Sequence, residues 1–464
     1  MAEAFISERD ARIRMLHQQE RLAILPGLVN RLDWSKAELA ADRLARLRAL
    51  VAVAKARSPW HRDRLFQIDA NTVTEADLAR IPPMTKADVM NHFDGIVTDR
   101  RLTLDRLEAH LQSGLYIDDS YLAVTSGGTT GRPAIMVYDR NAFSILNCMI
   151  WRWDIRNGRT LPRINGATAR LYADQGTHLT KLASRVFPIP TAVNIPVTRP
   201  IEWIVAELHR VQPVGMTGYG SIMTLLAEEA RAGRLSISPR TVTSTGEVLT
   251  AHMRSTMMSQ WPARIIDVWG MTEGLFAVPC TVSDMQHLPD DLCITEPFDE
   301  TGSEAPDGVV SSRLLITNLY NAALPLIRFE VADRIVLSST PCPCGCQFRR
   351  VSRIEGRQED RLSFGPRTHV IPGSLLAALY QLSHIVAFQV RQTMTGAHVL
   401  LQQNGPVDHA AVAAVVRGVF ADSGLADPQV TVERVHALAR TAVGKHRQIV
   451  GLPSQLNEQD ADAG

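Results

Sequence analysis

The apolar and polar positions fall into three textures along the chain. Over residues 8–57 Leu, Ala and Arg dominate, and RLARLRALVAVAKA repeats apolar residues at helical spacing. This predicts long helices, broken at Pro26 and Gly27. SPWHRDRL and IPPMTKADV predict turns followed by short capped helices; in the second, Thr85 is the expected N-cap, with Asp88 three residues on. YLAVTS and AIMVY predict strands on either side of a glycine-rich loop. From 200 to 360, β-rich runs (RTVTSTG, ARIIDVWG, RLLITN, DRIVL) alternate with helical stretches, which predicts an α/β architecture with substantial sheet. Beyond 360 a strand pair leads into a helix (RLSFGPRTHVIPGSLLAALYQL). Strands AFQVRQ, AHVLLQ and VTVERV follow, with the helix HAAVAAVVRGVF between them. This part reads as a small α+β domain. The last stretch, PSQLNEQDADAG, is polar and expected to fray.

The chain has 464 residues, too many for one ordinary core, so two or three domains are expected. With 45% hydrophobic and 21% charged residues it has the profile of a soluble globular protein. A net charge of +1 gives no general electrostatic case for nucleic acid or an anionic membrane. No apolar run approaches the roughly 18–20 residues of a membrane helix. The start, MAEAFISERDARIRM, has no signal-peptide apolar core, so the chain reads as cytoplasmic. The apolar N-terminal helices read as core, with a homodimer face as the alternative. The six cysteines do not suggest a disulfide framework, and three of them crowd into five residues.

TSGGTTGRP, Thr125 to Pro133, carries Gly127, Gly128 and Gly131 among the hydroxyls of Thr125, Ser126, Thr129 and Thr130. Glycines let the backbone approach a ligand closely. Successive N–H groups then form an anion-binding nest, to which the hydroxyls add donors. It is not a Walker A loop, because Gly131 is followed by Arg132-Pro133 rather than Lys-Ser/Thr. Composition alone would also suit a surface turn.

Four strings accompany this loop in order: STGE (Ser244–Glu247), DVWGMTEG (Asp267–Gly274), LPLIRFEVADR (Leu324–Arg334) and ARTAVGKHRQ (Ala439–Gln448). With GR-x-x-D-R at Gly356–Arg361 and the two N-terminal strings, the chain resembles the adenylate-forming (acyl-activating) superfamily, in its phenylacetate–CoA ligase-like branch. The resemblance runs through most of the chain. It implies a large N-terminal adenylation domain of sheets and helices, residues 1–358, and a small mobile C-terminal α+β domain, residues 359–464. It implies ATP-dependent conversion of a carboxylic acid, aromatic or arylacetic, to an acyl-AMP, then transfer to coenzyme A. An amide synthetase, passing the acyl group to an amine, is the runner-up.

By the same resemblance, Thr125 to Gly131 wrap the phosphates. Thr272 offers the α-phosphate a hydroxyl, and Glu273 is a Mg²⁺ ligand. Gly246, Glu247, Asp267 and Trp269 line the adenine side. Asp333 binds the ribose, and Arg357 reaches the ribose or phosphate from the domain junction. Tyr219, Gly220, Gly246, Trp269 and Gly270 are candidate walls of the acid pocket. Lys445 is the candidate catalytic residue, bridging carboxylate and α-phosphate as charge develops. Glu359 and Asp360 are the hinge for a domain rotation. Arg349, Arg350, Arg353 and Arg361 could supply a coenzyme A patch. The chain departs from the family pattern at Gly127 (serine is common), Ala134 (lysine or threonine), Trp269 (tyrosine) and Asp267 (asparagine).

Pro-Cys342-Pro-Cys344-Gly-Cys346 is a tight knuckle, and Cys280 and His287 are spaced as a second pair. Zinc takes four thiolate or imidazole ligands in a tetrahedron, and Cys280, His287, Cys342 and Cys344 make such a set, with Cys346 as a competitor. A structural role is expected, with free thiols in a turn as the alternative. The expected partners are thus a small carboxylic acid, ATP with Mg²⁺, zinc, and coenzyme A or an amine; neither nucleic acid nor membrane is expected.

Overall fold

The computed structural model describes residues 7–111, 114–125, 134–158, 166–172, 178–357, 362–365, 368–370, 372–440 and 446–452. The first helix, Glu8–Asn30, starts at Ser7, whose side chain accepts the Asp10 N–H. It runs through Pro26 and Gly27, where the sequence predicted a break. Proline removes one backbone bond from a helix interior. Here Leu25 and Leu28 on either side are buried in the largest core, and that packing holds the turn. The chain breaks later, in the 3₁₀ turn Arg31–Asp33. Ser35 then opens Lys36–Arg57 with a capping box to Glu38. Thr85 caps Lys86–Asn91 as expected, and Asp88 completes a capping box.

The centre is a nine-stranded sheet among the described residues, in the spatial order 333–338, 350–357, 286–287, 275–279, 264–271, 241–245, 215–218, 168–172, 192–196. The last five strands are parallel. Their side chains alternate between two faces. Ala169, Leu171, Met216, Val242 and Ile265 point to one face and join a core with Ile204, Leu208, Ile222 and Met257 from helices 201–211, 220–231 and 251–260. The opposite face meets helices Arg140–Arg156 and Leu179–Val186.

The predicted alternation of strand and helix stops at Gln260. Between 264 and 357 the described residues hold strands and turns only, because the added strands pair antiparallel and need no helical crossover. A three-stranded sheet (Cys293–Phe298, Arg313–Asn318, Phe329–Val331) and the hairpin Tyr121–Thr125/Ile135–Asp139 complete this part. One buried ion pair ties helix Arg140–Arg156 to the segment after His287: Arg152 donates to both oxygens of Asp291 at 2.8 and 3.0 Å. Removing one partner of such a pair costs about 3–5 kcal/mol, because the other charge stays buried.

Residues 362–450 build a separate core of Phe388, Val390, Val399, Leu401, Val416 and Phe420, between a four-stranded sheet and helices Pro372–Leu379 and His409–Asp422. This unit touches the larger part through particular contacts. Tyr380 stacks on His252 with centroids 4.5 Å apart. The Asn404 amide donates to Glu228 at 3.1 Å. No helix among the described residues is long and apolar enough to cross a membrane.

Candidate active site at the carboxyl ends of the parallel strands

Strand Arg264–Met271 leaves the sheet in a tight turn that carries Thr272, Glu273 and Gly274 and returns as Leu275–Pro279. Gly274 sits at φ +109°, and a Cβ there would lie 2.1 Å from the Asn318 amide nitrogen and 2.7 Å from the Tyr320 hydroxyl. Only glycine fits. The carbonyls of the three turn residues are each held by a side chain from elsewhere. The Tyr138 hydroxyl donates to Thr272. The Asn318 amide donates to Glu273 at 3.1 Å, and the Tyr320 hydroxyl to Gly274 at 2.7 Å. Burial raises both phenols well above their ordinary range, which keeps them donors. The Thr272 hydroxyl donates to the Glu273 carboxylate at 3.1 Å, so the two expected phosphate- and metal-side groups are adjacent.

Asp333, on the edge strand 333–338, is reached from strand Arg264–Met271 by Trp269, whose indole N–H donates to its carboxylate at 3.2 Å. The antiparallel register sets Asp333 opposite Arg357. Glu247 accepts from the Ser221 N–H at 2.9 Å and its hydroxyl at 3.1 Å, and from the His446 N–H at 3.0 Å. His446 also bridges to Arg440, whose guanidinium reaches the Ser221 hydroxyl at 3.5 Å. Arg440 and His446 therefore sit against Ser221 and Glu247. Gly246, before Glu247, has φ +78°. Asp267 accepts from the Gln286 amide at 2.7 Å. Burial raises its carboxyl to about 7, against the opposing influence of Arg254 and the Gln286 bond.

Thr125 ends its strand opposite Ile135. Ser126, Gly127, Gly128, Thr129, Thr130, Gly131, Glu359, Asp360, Arg361 and Lys445 lie outside the described residues. The hairpin that carries the glycine loop is nonetheless tethered to the turn by Tyr138. Of the expected pocket walls, Tyr219 is buried edge-on to Tyr172 at 5.5 Å. Gly220 leaves room for the Ser244 hydroxyl, and Gly270 lets the Phe276 ring cross where a Cβ would lie 2.1 Å away. None of Tyr219, Gly220, Gly246, Trp269 or Gly270 lines the 270 Å³ cavity on the sheet face under helix Arg140–Arg156, whose sheet wall includes Thr217 and Thr245. Two expected coenzyme A arginines are already engaged. Arg349 chelates Asp290 at 2.7 Å, and Arg350 binds Ser283 and the Thr340 carbonyl.

Cys280, His287, Cys342 and Cys344 converge, with their ligand atoms all within 4.8 Å of one another. The Cys280 and Cys342 sulfurs are 3.5 Å apart, and Cys344 Sγ is 3.7 Å from His287 Nε2. A tetrahedral site with metal–sulfur bonds of about 2.3 Å has edges of about 3.8 Å, so the group fits zinc. Cys346 is buried but not part of the cluster.

No protein-family model matches the chain. It is 25% identical over 433 residues to a phenylacetate–coenzyme A ligase of Thermus thermophilus, covering 88% of this chain and 89% of that one. A crystal structure of 2-hydroxyisobutyryl-CoA ligase, in the postadenylation state with R3-HIB-AMP, superposes with a TM-score of 0.69 at 18% identity, covering 93% of this chain and 94% of that one. The same ligase with 2-HIB-AMP and CoA in the thioesterification state gives 0.56 at 19% identity over the same shares, 93% and 94%. The fold is that of the two-domain, adenylate-forming CoA ligases. In sequence the chain is similar to a phenylacetate–coenzyme A ligase, the resemblance its motifs implied.

The Asp267 carboxyl yields a pH prediction. It loses its proton near pH 4 when unfolded and near pH 7 when folded. The unfolded state therefore binds fewer protons between these values, and the native protein loses stability as pH rises from 4 to 7 and then levels off. Asp267→Asn removes that component, so urea midpoints of the two proteins should diverge across this window. Parallel profiles would show that Asp267 titrates normally.

Proposed function

We propose that the chain activates a carboxylic acid with ATP, forming an acyl-AMP and pyrophosphate, and passes the acyl group to coenzyme A. The observation that carries this reading is the bond from the His446 N–H to Glu247. It brings the residue next to Lys445 onto the edge where Thr272, Glu273, Trp269 and Asp333 gather. Ligands of open α/β sheets bind at this edge, beyond the carboxyl ends of the strands.

The chemistry brings two anions together, a carboxylate and the α-phosphate, so the site must neutralise developing charge. Lys445 supplies a cation as the carboxylate oxygen attacks phosphorus and pyrophosphate leaves. The backbone donors of residues 125–131 hold the phosphates, even with Gly127 and Ala134 in place of the commoner side chains. Thr272 adds a hydroxyl. Mg²⁺ prefers hard oxygen ligands, and Glu273 would hold it to offset phosphate charge. Asp333, oriented by Trp269, accepts from the ribose hydroxyls, with Arg357 contributing from the junction. Gly246, Glu247 and Asp267 flank the adenine. The domains divide at residues 358 and 359. Glu359 and Asp360 form the hinge on which the smaller domain turns, withdrawing Lys445 and opening the path for the thiol. Such closure shields the acyl-AMP from water.

Zinc on Cys280, His287, Cys342 and Cys344 would pin the segment after Glu273 to the strand pair before the hinge. All four positions of a tetrahedron are then filled by protein, which makes the role structural.

Pyrophosphate release tests the function, with ATP, Mg²⁺ and a panel of aromatic and arylacetic acids, each without acceptor, with coenzyme A, and with mixed amines. Acid-dependent release with an acyl-CoA product is expected. An amide product would move the acceptor to an amine, and no release with any acid would contradict adenylation. Elemental analysis should find close to one zinc per chain, and its removal should lower the melting temperature. A stable metal-free protein would rule the zinc out.

A further inference from the structure

The 270 Å³ cavity has two unlike walls. Helices Arg140–Arg156 and Leu179–Val186 and strand Leu275–Pro279 contribute Phe143, Leu146, Trp151, Leu179 and Phe276. The parallel sheet contributes threonines, Tyr172, Ile266, Val268 and one arginine, Arg170. A cavity of roughly 150 Å³ takes a benzene ring, so this one has room for a substituted ring.

Strand register fixes where Arg170 stands. Arg170 pairs with Thr217, Thr217 with Thr243, and Thr243 with Ile266, forming one row across the cavity wall. Two residues further along the strands lie Tyr172, Thr245 and Val268, the last two paired. The next residues, Gly246 and Trp269, begin the proposed nucleotide side. The Arg170 row therefore lies about 7 Å below the row that adjoins the reacting groups.

A guanidinium held in a half-buried cavity wall, as Arg170 is, favours an anion or acceptor beside it over partial desolvation. Among the described residues Arg170 has neither a carboxylate nor a hydrogen-bond partner. The Tyr172 phenol acts on it electrostatically, and that phenol is already engaged with the Thr217 hydroxyl at 2.8 Å. Asp154, the one acid among the described lining residues, forms no ion pair with it. Burial lowers the affinity of Arg170 for its proton, as expected of a desolvated cation without a counter-charge.

We propose that this cavity receives the body of the acid and that Arg170 binds a second oxygen acceptor on it, carboxylate or phenolic, set one aromatic ring away from the carboxyl that is activated. The inference rests on the adenylation reading for which carboxyl reacts. It names Arg170 as the residue that selects among aromatic acids, with Thr217 and Thr243 beside it as hydroxyl donors.

The test compares phenylacetate, 4-hydroxyphenylacetate and 4-carboxyphenylacetate on the wild-type protein, Arg170→Met and Arg170→Lys. Adenylation kinetics and calorimetric binding are read separately. A site built to bond a substrate group strongly rejects the analogue without it. The wild type should therefore favour a para-substituted acid over phenylacetate by about 100-fold or more in kcat/KM. The hydroxyl and carboxylate arms show which acceptor it takes. Arg170→Met should lose this preference, chiefly through KM, with little change for phenylacetate, and Arg170→Lys should restore part of it. Equal turnover of all three acids by the wild type would overturn the inference, and so would an equal loss on all three in Arg170→Met. Binding of neither substituted acid would overturn it too. The adenylation reading fails on a different result. Arg170-dependent binding without AMP formation would leave the cavity assignment standing and remove the reaction. Adenylation of all three acids without any Arg170 dependence would do the reverse.

Discussion

Three consecutive carbonyls, those of Thr272, Glu273 and Gly274, are each held by a side chain from another part of the chain. Everything proposed for the site depends on this turn keeping its shape. A turn at the end of a strand would otherwise leave its carbonyls to water. Here Tyr138 comes from the hairpin of the glycine loop, while Asn318 and Tyr320 come from the end of a strand in the smaller sheet. The turn is thus the joint of three substructures. The edge strand 333–338 brings Asp333 to the Trp269 indole N–H. Buried donors make such a joint stiff, because leaving any of them unsatisfied would cost about 1–3 kcal/mol.

From that joint the sheet divides its labour by face. One face is apolar and covered by three helices, and supplies stability. The other is lined with threonines and Arg170 and leaves a cavity under helix Arg140–Arg156. The period-two alternation of strand side chains is what permits both. Ala169 and Leu171 serve the core while Arg170 and Tyr172, between and beside them, serve the cavity. The buried Arg152–Asp291 pair anchors the same helix that roofs the cavity, so the pocket's shape and the fold's stability share one support.

Much of this was legible in the sequence wherever the information is local. Thr85 with Asp88 read as a capping box, the β-rich runs as strands, and the residues beyond 360 as a separate α+β texture. The glycine loop, Thr272-Glu273, Asp333 and Lys445 stood out as strings. Residues acting at a distance did not. Tyr138 lies 134 residues from the carbonyl it holds, and Asn318 and Tyr320 lie 45 and 46 residues from theirs. Nothing in ATARLY marks Arg170 as facing a cavity, since only the register across four strands shows it. Pro26 misled in the opposite sense: its local penalty was read, and the packing that overrides it could not be. Arg349 and Arg350 read as part of a coenzyme A patch, but the fold brings Asp290, Ser283 and the Thr340 carbonyl to them. The cysteine–histidine spacing did identify a cluster that the structure assembles.

The account's central claim is that a lysine beside His446 serves adenylation alone, presented by a domain that later turns away. The most direct measurement separates the two half-reactions in Lys445→Ala: formation of acyl-AMP from acid and ATP, and thioester formation from supplied acyl-AMP and coenzyme A. The first should fall by orders of magnitude while the second stays close to wild type. Equal loss of both, or an intact first step, would contradict it.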